Sequence, residues 1–208
     1  MDVIPGIVEQ QDPNEIERKI ELVSPFVQWI HMDVADDTLI SFKTPTRFPF
    51  LKKNAHTFFE AHIMSEKPET YVKHLIDSGC KRIVAPVECT DPREFLSEAR
   101  VWECETGLAI DVETPLEEVE PFLEELDFVL VMTAGAGAGD QLFEESTLSK
   151  IKTITRNLPD LPIEAEGGIN LESVKPIAQA GATRIVSTSY IFKDENRIQE
   201  TIRHLAVI

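Results

Sequence analysis

Short apolar segments alternate with longer amphipathic segments along the whole chain. Eight of the apolar segments have the length of β-strands and are rich in residues that favour strands. They lie at residues 3–8, 27–33, 57–63, 82–86, 106–111, 127–132, 162–166 and 184–187. Because no Pro-, Gly- or Ser-rich linker interrupts the alternation, the pattern predicts a single α/β domain over residues 1–208.

Helix signals lie between these segments. Asn170 can cap a helix before residues 174–180, and Gly79 and Gly181 stand where helices end in a left-handed residue. Three further tetrapeptides begin with a capping side chain, which is followed by a proline at the first helical position. Each ends with a glutamate that closes a capping box. They are Asp12-Pro13-Asn14-Glu15, Asp91-Pro92-Arg93-Glu94 and Thr114-Pro115-Leu116-Glu117, and each predicts the start of a helix.

The number and spacing of the segments predict the fold. Eight units of 208/8 = 26 residues favour a compact (β/α)8 TIM barrel over an open doubly wound sheet. An open sheet would carry a glycine-rich dinucleotide turn after its first strand, but residues 9–12 read Glu-Gln-Gln-Asp. The stretch between the second and third predicted strands is the least regular, so we expect a barrel with one irregular loop.

Composition and charge narrow the choice of partners. Asp and Glu number 37 against 20 Lys and Arg, and the net charge of −17 opposes binding to nucleic-acid phosphates. No apolar stretch is long enough for a signal peptide or a membrane span. Cys80, Cys89 and Cys104 lack a C-x-x-C pairing, so we expect free thiols. These features predict a cytoplasmic protein without nucleic-acid or membrane partners.

Polar residues at the ends of the predicted strands are the candidates for chemistry, because a TIM barrel builds its active site there. His31 and Asp33 end the second strand two residues apart, which places them on the same side. His62 ends the third strand and Glu166 ends the seventh. Two imidazoles and two carboxylates suit a divalent metal, with Zn, Fe, Mn and Co all compatible. An ordinary structural role for each histidine is the alternative. The other three histidines fit surface positions: His56, His74 and His204.

A small-residue stretch follows the sixth predicted strand, where residues 135–139 read Gly-Ala-Gly-Ala-Gly. Small residues there can let backbone N–H groups approach an anion. Simple loop flexibility explains the same pattern. The sequence leaves these two interpretations open.

The chain resembles the ribulose-phosphate 3-epimerase family in register over nearly its whole length. The resemblance rests on an ordered set of stretches rather than on any one of them. They are Ile4-Pro5-Gly6-Ile7, Ile30-His31-Met32-Asp33-Val34 with Asp36, Ala61-His62-Ile63-Met64, Gly107-Leu108-Ala109-Ile110 with Thr114-Pro115, Val129-Leu130-Val131-Met132-Thr133 with Gly137, Gly139, Gln141 and Phe143, Glu164-Ala165-Glu166-Gly167-Gly168-Ile169, and Ser187-Thr188-Ser189-Tyr190-Ile191-Phe192. The fold that this resemblance implies is a (β/α)8 barrel of the ribulose-phosphate-binding type.

The resemblance also implies roles for individual residues. A divalent metal would be held by His31, Asp33, His62 and Glu166. The two carboxylates would exchange protons with opposite faces of a ketose phosphate, since one base cannot serve both faces. The pocket would be lined by Met64 and Met132. Phosphate would be bound at Gly137, Gly139, Gly167, Gly168, Thr188 and Ser189.

Several positions depart from the family pattern. The family's aspartate after the seventh strand is Glu166 here, and a displacement of about 1 Å in a proton-transfer group can cost on the order of 100-fold in rate. The family's serine near the start is Gly6, its fourth-strand histidine is Pro86, and its third lining methionine is Ala35. Asp140 adds a negative charge beside the expected phosphate position. We therefore expect altered substrate contacts.

The sequence thus predicts a metal-dependent epimerase that inverts C3 of a ketose phosphate. The leading candidate reaction is the conversion of D-ribulose 5-phosphate to D-xylulose 5-phosphate. Two alternatives stay open. The chain could be a barrel that binds a sugar phosphate with weak or no turnover, or an epimerase or isomerase for another sugar. The expected partner is a small-molecule sugar phosphate, and a homo-oligomer is compatible with the sequence.

Overall fold

The computed structural model describes residues 1–8, 12–54, 56–135 and 142–207. Within these ranges, eight parallel strands pair in chain order and close into a barrel. The strands are β1 (Asp2–Ile7), β2 (Trp29–Ala35), β3 (Phe58–Met64), β4 (Cys80–Pro86), β5 (Glu105–Ile110), β6 (Phe128–Met132), β7 (Ile163–Glu166) and β8 (Arg184–Ser187). The α-helices are α1 (Pro13–Val23), α2 (Glu69–Ser78), α3 (Pro92–Val101), α4 (Leu148–Asn157), α5 (Val174–Ala180), α6 (Ser189–Phe192) and α7 (Ile198–Ala206). The predicted barrel is confirmed, with every predicted strand boundary within two residues of an observed one.

Most of the predicted helix boundaries are confirmed. The Asp12 carboxylate accepts a hydrogen bond from one backbone N–H at the start of α1, and the Asp91 carboxylate accepts two at the start of α3. The Asn170 side chain accepts two backbone hydrogen bonds ahead of α5. Gly79 and Gly181 end α2 and α5 with φ angles of 119° and 117°, the left-handed conformation that glycine tolerates best.

The predicted α-helix after Thr114 is wrong. Two short 3₁₀-helices, Leu116–Glu118 and Glu120–Glu125, occupy this segment. Pro115 has a ψ of 145°, which is not helical, and makes no side-chain cap. Pro121 lacks the backbone N–H that a continuous α-helix would need at that position. The loop between β2 and β3 is irregular as expected, with a 3₁₀-helix at Leu51–Lys53 as its helical segment in the described residues.

The interior of the barrel is divided into an apolar side and a charged side. Strands β4, β5 and β6 supply a cluster of buried apolar side chains, which are Val84, Ala109, Phe128, Leu130 and Met132. Gly107 in β5 leaves room for the Phe128 ring, which lies 2.8 Å from where a Cβ atom would be. Strands β2, β3 and β7 contribute the fully buried polar side chains His31, Glu60 and Glu164. The charged side also receives Arg82 from β4, whose guanidinium lies between Glu60 and the Phe128 ring at the border of the apolar cluster.

The cysteines carry free thiols, as predicted. Cys80 and Cys89 are buried, and Cys104 is partly buried. Among the residues that the structure describes, no helix combines the length and the apolar character that crossing a lipid bilayer requires.

Candidate active site

Four side chains meet at the carboxyl end of the barrel. His31 and Asp33 lie in β2, and the pairing of Asp33 with His62 places β3 beside them in register. Glu166 is the last residue of β7 and reaches the same position from the other side of β1 and β8. One nitrogen or oxygen atom from each of the four side chains lies within 4.8 Å of the others. We call these four residues the His–carboxylate cluster.

The imidazoles and carboxylates of the cluster alternate at short distances. The Nε2 atom of His31 is 3.4 Å from Oδ1 of Asp33 and 3.6 Å from Oε2 of Glu166. The Nδ1 atom of His62 is 3.3 Å from the same Glu166 oxygen and 3.7 Å from the same Asp33 oxygen. All four residues are buried. Nε2 of His31 and Nδ1 of His62 therefore each face both carboxylates.

Unpartnered atoms in the cluster fit a bound cation. His31 Nε2, His62 Nδ1 and Glu166 Oε2 are buried and have no hydrogen-bond partner, which is costly unless another group satisfies them. Two nitrogen and two carboxylate donors are a suitable ligand set for a divalent transition metal. The residues present therefore fit the metal that the sequence predicts.

The electrostatics of the cluster favour positive charge. Burial disfavours a charged imidazole, but the nearby carboxylates, Glu166 foremost, outweigh burial and raise the pKa of His31 well above its ordinary value. Burial also disfavours a charged carboxylate, but His31 and His62 outweigh it and lower the pKa of Glu166. Positive charge placed between the buried carboxylates of Asp33 and Glu166 is therefore stabilised by them.

A buried charged network that was not predicted from the sequence lies beneath the cluster. Nδ1 of His31 donates to Oε1 of Glu60 at 2.8 Å, and Nη1 of Arg82 donates to Oε2 of Glu60 at 2.5 Å. Glu164 lies 3.8 Å from both His31 and Arg82. Burial and the neighbouring Glu60 raise the pKa of Glu164 well above its usual range, which favours its neutral form.

The strand periodicity contains the signal for part of this network. Glu60 is two residues before His62, and Glu164 is two residues before Glu166. Because side chains two apart on a strand share a face, these acids had to point into the barrel with the cluster.

A threonine fixes the backbone beneath Glu166. The Thr133 N–H and hydroxyl both donate to the Glu166 carbonyl, at 2.5 Å and 3.0 Å, and the hydroxyl also approaches the Gly167 carbonyl at 2.6 Å. Thr133 follows directly after β6, which pairs with β7. These contacts hold the end of β7 in place, and with it the Glu166 side chain.

A cavity of about 190 Å³ opens beside the cluster. Met64 and Met132, the two predicted lining residues, form part of its wall together with His62. The rest of the lining consists of four apolar residues, Leu39, Ile40, Pro86 and Ala109, and two acids, Glu88 and Asp111. The cavity therefore brings an apolar surface next to the buried polar cluster.

The loop after β2 contributes to the wall of this cavity and is held by the Asp36 carboxylate. Asp36 Oδ1 accepts from the Thr38 hydroxyl at 2.6 Å, and Oδ2 accepts from the hydroxyls of Ser65 at 2.7 Å and Tyr71 at 2.8 Å. Ser65 directly follows β3 and Tyr71 lies in α2. These bonds therefore connect the loop after β2 to the segment that follows β3. They place Leu39 and Ile40 in the cavity wall.

The predicted phosphate-binding residues lie after neighbouring strands where the structure describes them. Gly167 and Gly168 follow β7 with φ angles of 106° and 65°, and a Cβ atom on Gly168 would come within 2.5 Å of the Phe143 nitrogen. Thr188 and Ser189 follow β8 at the start of α6. The predicted residues Gly137 and Gly139, together with Asp140, lie outside the described residues. The other three histidines are exposed: His56, His74 and His204.

The sequence of the chain is similar to those of known proteins. The chain matches the Ribulose-phosphate 3 epimerase family over residues 3–192. The ribulose-phosphate 3-epimerase of Schizosaccharomyces pombe is 34% identical over 172 residues, which cover 79% of this chain and 75% of that protein. The cytoplasmic isoform of ribulose-phosphate 3-epimerase from Oryza sativa subsp. japonica is 27% identical over 197 residues, which cover 91% of this chain and 86% of that protein. The enzyme of Bacillus subtilis is 28% identical over 176 residues, or 81% of each chain.

Solved structures share the barrel at lower identity. A 3-hexulose-6-phosphate synthase from Salmonella typhimurium has a TM-score of 0.75 at 16% identity, covering 100% of this chain and 97% of that one. A 3-keto-L-gulonate-6-phosphate decarboxylase from Vibrio cholerae has a TM-score of 0.73 at 11% identity, covering 98% and 95%. At such identities the likeness concerns the fold alone.

Proposed function

The chain belongs to the ribulose-phosphate 3-epimerase family and is an epimerase, and we propose that it inverts C3 of a ketose phosphate, interconverting D-ribulose 5-phosphate and D-xylulose 5-phosphate. One observation carries the proposal. Asp33 and Glu166 reach the same pair of imidazoles from β2 and from β7, so two carboxylates flank one position at the barrel mouth.

The carboxylates perform the proton transfers. The C3 proton of the substrate is acidic because it lies next to the C2 carbonyl, and one carboxylate removes it from one face. The other carboxylate delivers a proton to the opposite face, which inverts the carbon. A divalent cation held by the His–carboxylate cluster supplies, when bound, positive charge that stabilises the negative charge developing on the substrate oxygens.

The cavity wall contributes by excluding water. Met64, Met132 and Pro86 present apolar surface beside His62, so the reacting carbon is shielded from solvent protons. The phosphate is bound on the β7 and β8 side by Gly167, Gly168, Thr188 and Ser189, where glycine backbone lets an anion approach N–H groups closely. Gly137 and Gly139 complete this phosphate site in the proposal.

A coupled assay tests the function. Protein loaded with zinc, manganese, iron(II) or cobalt should convert D-ribulose 5-phosphate to D-xylulose 5-phosphate, and chelator should abolish the conversion. His62→Gln should lose the activity because it removes a nitrogen ligand, whereas His74→Gln, at an exposed position on α2, should behave as the unmodified chain. Absence of conversion with all four metals would refute the epimerase activity on this substrate and favour the sugar-phosphate-binding barrel.

A further inference from the structure

We propose that Glu60 is a positioning residue for His31 and that Arg82 holds the Glu60 carboxylate from the side that faces away from His31. The inference rests on the proposed function in one respect, because it takes the His–carboxylate cluster to be a metal site. Neither Glu60 nor Arg82 reaches the cavity, so both would act on the reaction only through His31.

The two nitrogens of His31 face different partners. Nε2 faces the carboxylates of Asp33 and Glu166, and Nδ1 lies 2.8 Å from Oε1 of Glu60. A carboxylate only accepts hydrogen bonds, so the proton of the neutral ring sits on Nδ1 and the lone pair on Nε2 points at the cluster. Glu60 thus selects the tautomer and the ring orientation that can hold a metal.

Arg82 fixes the carboxylate of Glu60 in turn. Its Nη1 bonds to Oε2 of Glu60, and its Nε bonds to the carboxylate of Glu105 at 2.9 Å. The guanidinium also packs over the rings of Trp29, at 3.8 Å, and Phe128, at 5.1 Å. A planar group held on two edges and one face has little freedom to rotate, so it keeps Glu60 aimed at His31.

The burial of two acidic side chains explains why a positively charged residue stands at position 82. Glu60 and Glu164 are both fully buried, and Arg82 lies within 3.8 Å of each. Loss of the arginine would leave the Glu60 carboxylate and the Glu164 side chain in the barrel interior without their guanidinium partner. The hydrogen-bonded chain His31–Glu60–Arg82–Glu105 runs from the cluster to a side chain that is 48% exposed at the far end of the barrel.

Zinc affinity measured by chelator competition tests the inference. Glu60→Gln should weaken zinc binding by about 10- to 100-fold, the usual cost of losing the partner of a metal-binding histidine. Glu125→Gln is the matched control, because Glu125 is paired with Arg100 on the surface, and it should leave the affinity unchanged. Equal affinities for Glu60→Gln and the unmodified chain would overturn the proposal.

A double-variant cycle tests the order of the chain. Arg82→Gln should weaken zinc binding in the otherwise unmodified protein but add little in the Glu60→Gln background, since Arg82 acts through Glu60. Arg100→Gln serves as its surface control. Additive losses from the two substitutions would overturn the anchoring role of Arg82, because they would mean that Arg82 acts on the site independently.

Nuclear magnetic resonance of the unmodified zinc-loaded protein supplies a test that needs no variant to fold. The Nδ1 proton of His31 should be strongly deshielded and protected from exchange because it is buried in a bond to Glu60. A His31 ring protonated only at Nε2 would overturn the proposal. Zinc binding without turnover under zinc, manganese, iron(II) and cobalt would leave the positioning role standing and refute the epimerase activity on this substrate. Turnover without zinc binding at the cluster would overturn the positioning role and leave the epimerase activity standing.

Discussion

Glu166 delivers its carboxylate to the His–carboxylate cluster although its side chain is longer than that of aspartate. Its Oε2 atom lies 3.3 Å from Nδ1 of His62 and 3.6 Å from Nε2 of His31. Thr133 fixes the backbone of the same residue. The extra methylene is therefore accommodated by the position of the strand end, and ligation depends on where the oxygen lies rather than on the length of the arm.

Substitutions at Glu166 separate ligation from proton transfer. Glu166→Gln should reduce metal affinity and lower turnover by about 1000-fold, because the amide cannot carry the proton. Glu166→Asp should keep the metal and change turnover modestly. Metal content and turnover of both variants are to be compared with Glu172→Gln, an exposed glutamate nearby. Near-normal turnover in Glu166→Gln would remove this residue from the mechanism.

The buried thiols give a prediction about pH. Burial raises the pKa of Cys80 and Cys89 to about 12, whereas an unfolded thiol ionises near about 8.5. The folded protein therefore holds these protons at a pH where the unfolded chain has released them. Their contribution to stability is present below about pH 8.5 and is lost as the pH rises towards 12.

Alkylation and denaturation measurements check this behaviour. At pH 8.5, iodoacetamide should modify Cys80 and Cys89 slowly in the folded protein and rapidly in urea. The free energy of unfolding should fall as the pH is raised from 8.5 to 10.5. Rapid modification of both thiols in the folded state would show that they are not buried as described.

The cluster was predictable from sequence, but the network beneath it was not. His31, Asp33, His62 and Glu166 stand at strand ends, and a parallel barrel brings all such ends to one face. Glu60 could have been placed on the inner face by strand periodicity alone. Its contact with Arg82 and the position of Glu164 across the barrel depend on the closure of the sheet, which no local pattern encodes.

At the scale of elements, strands were easier to predict than the segments that connect them. Strand positions follow from apolar runs that are buried on both faces of a barrel wall. The signal at Thr114 is identical in kind to those at Asp12 and Asp91, yet it precedes 3₁₀-helices. The difference lies in Pro121, which removes a backbone donor seven residues after Thr114, beyond the reach of a capping motif.

Capping substitutions test this difference. Asp91→Ala should lower the free energy of unfolding by about 1 kcal/mol, because the carboxylate accepts two backbone hydrogen bonds at the start of α3. Thr114→Ala should change it by less than about 0.5 kcal/mol, since no helix is capped there. Urea denaturation of both variants measures the two effects. Equal losses would mean that Thr114 caps the segment after all.

At the scale of the whole molecule, the divided interior places polar chemistry on one side of the barrel. The apolar cluster of β4, β5 and β6 fills one side, and the charged residues of β2, β3 and β7, joined by Arg82 of β4, fill the other. The division lets two carboxylates from distant strands meet two imidazoles while apolar side chains wall the adjoining cavity. In the proposed mechanism, one of these carboxylates acts on each face of the reacting carbon.

Deuterium incorporation at C3 tests the two-carboxylate mechanism most directly. The metal-loaded protein is incubated with D-ribulose 5-phosphate in deuterated water, and the early time course is followed by proton nuclear magnetic resonance. We predict that the D-xylulose 5-phosphate formed carries deuterium at C3 while the remaining substrate still carries protium, because separate carboxylates remove and return the proton. Product that retains the original proton would contradict two-carboxylate inversion.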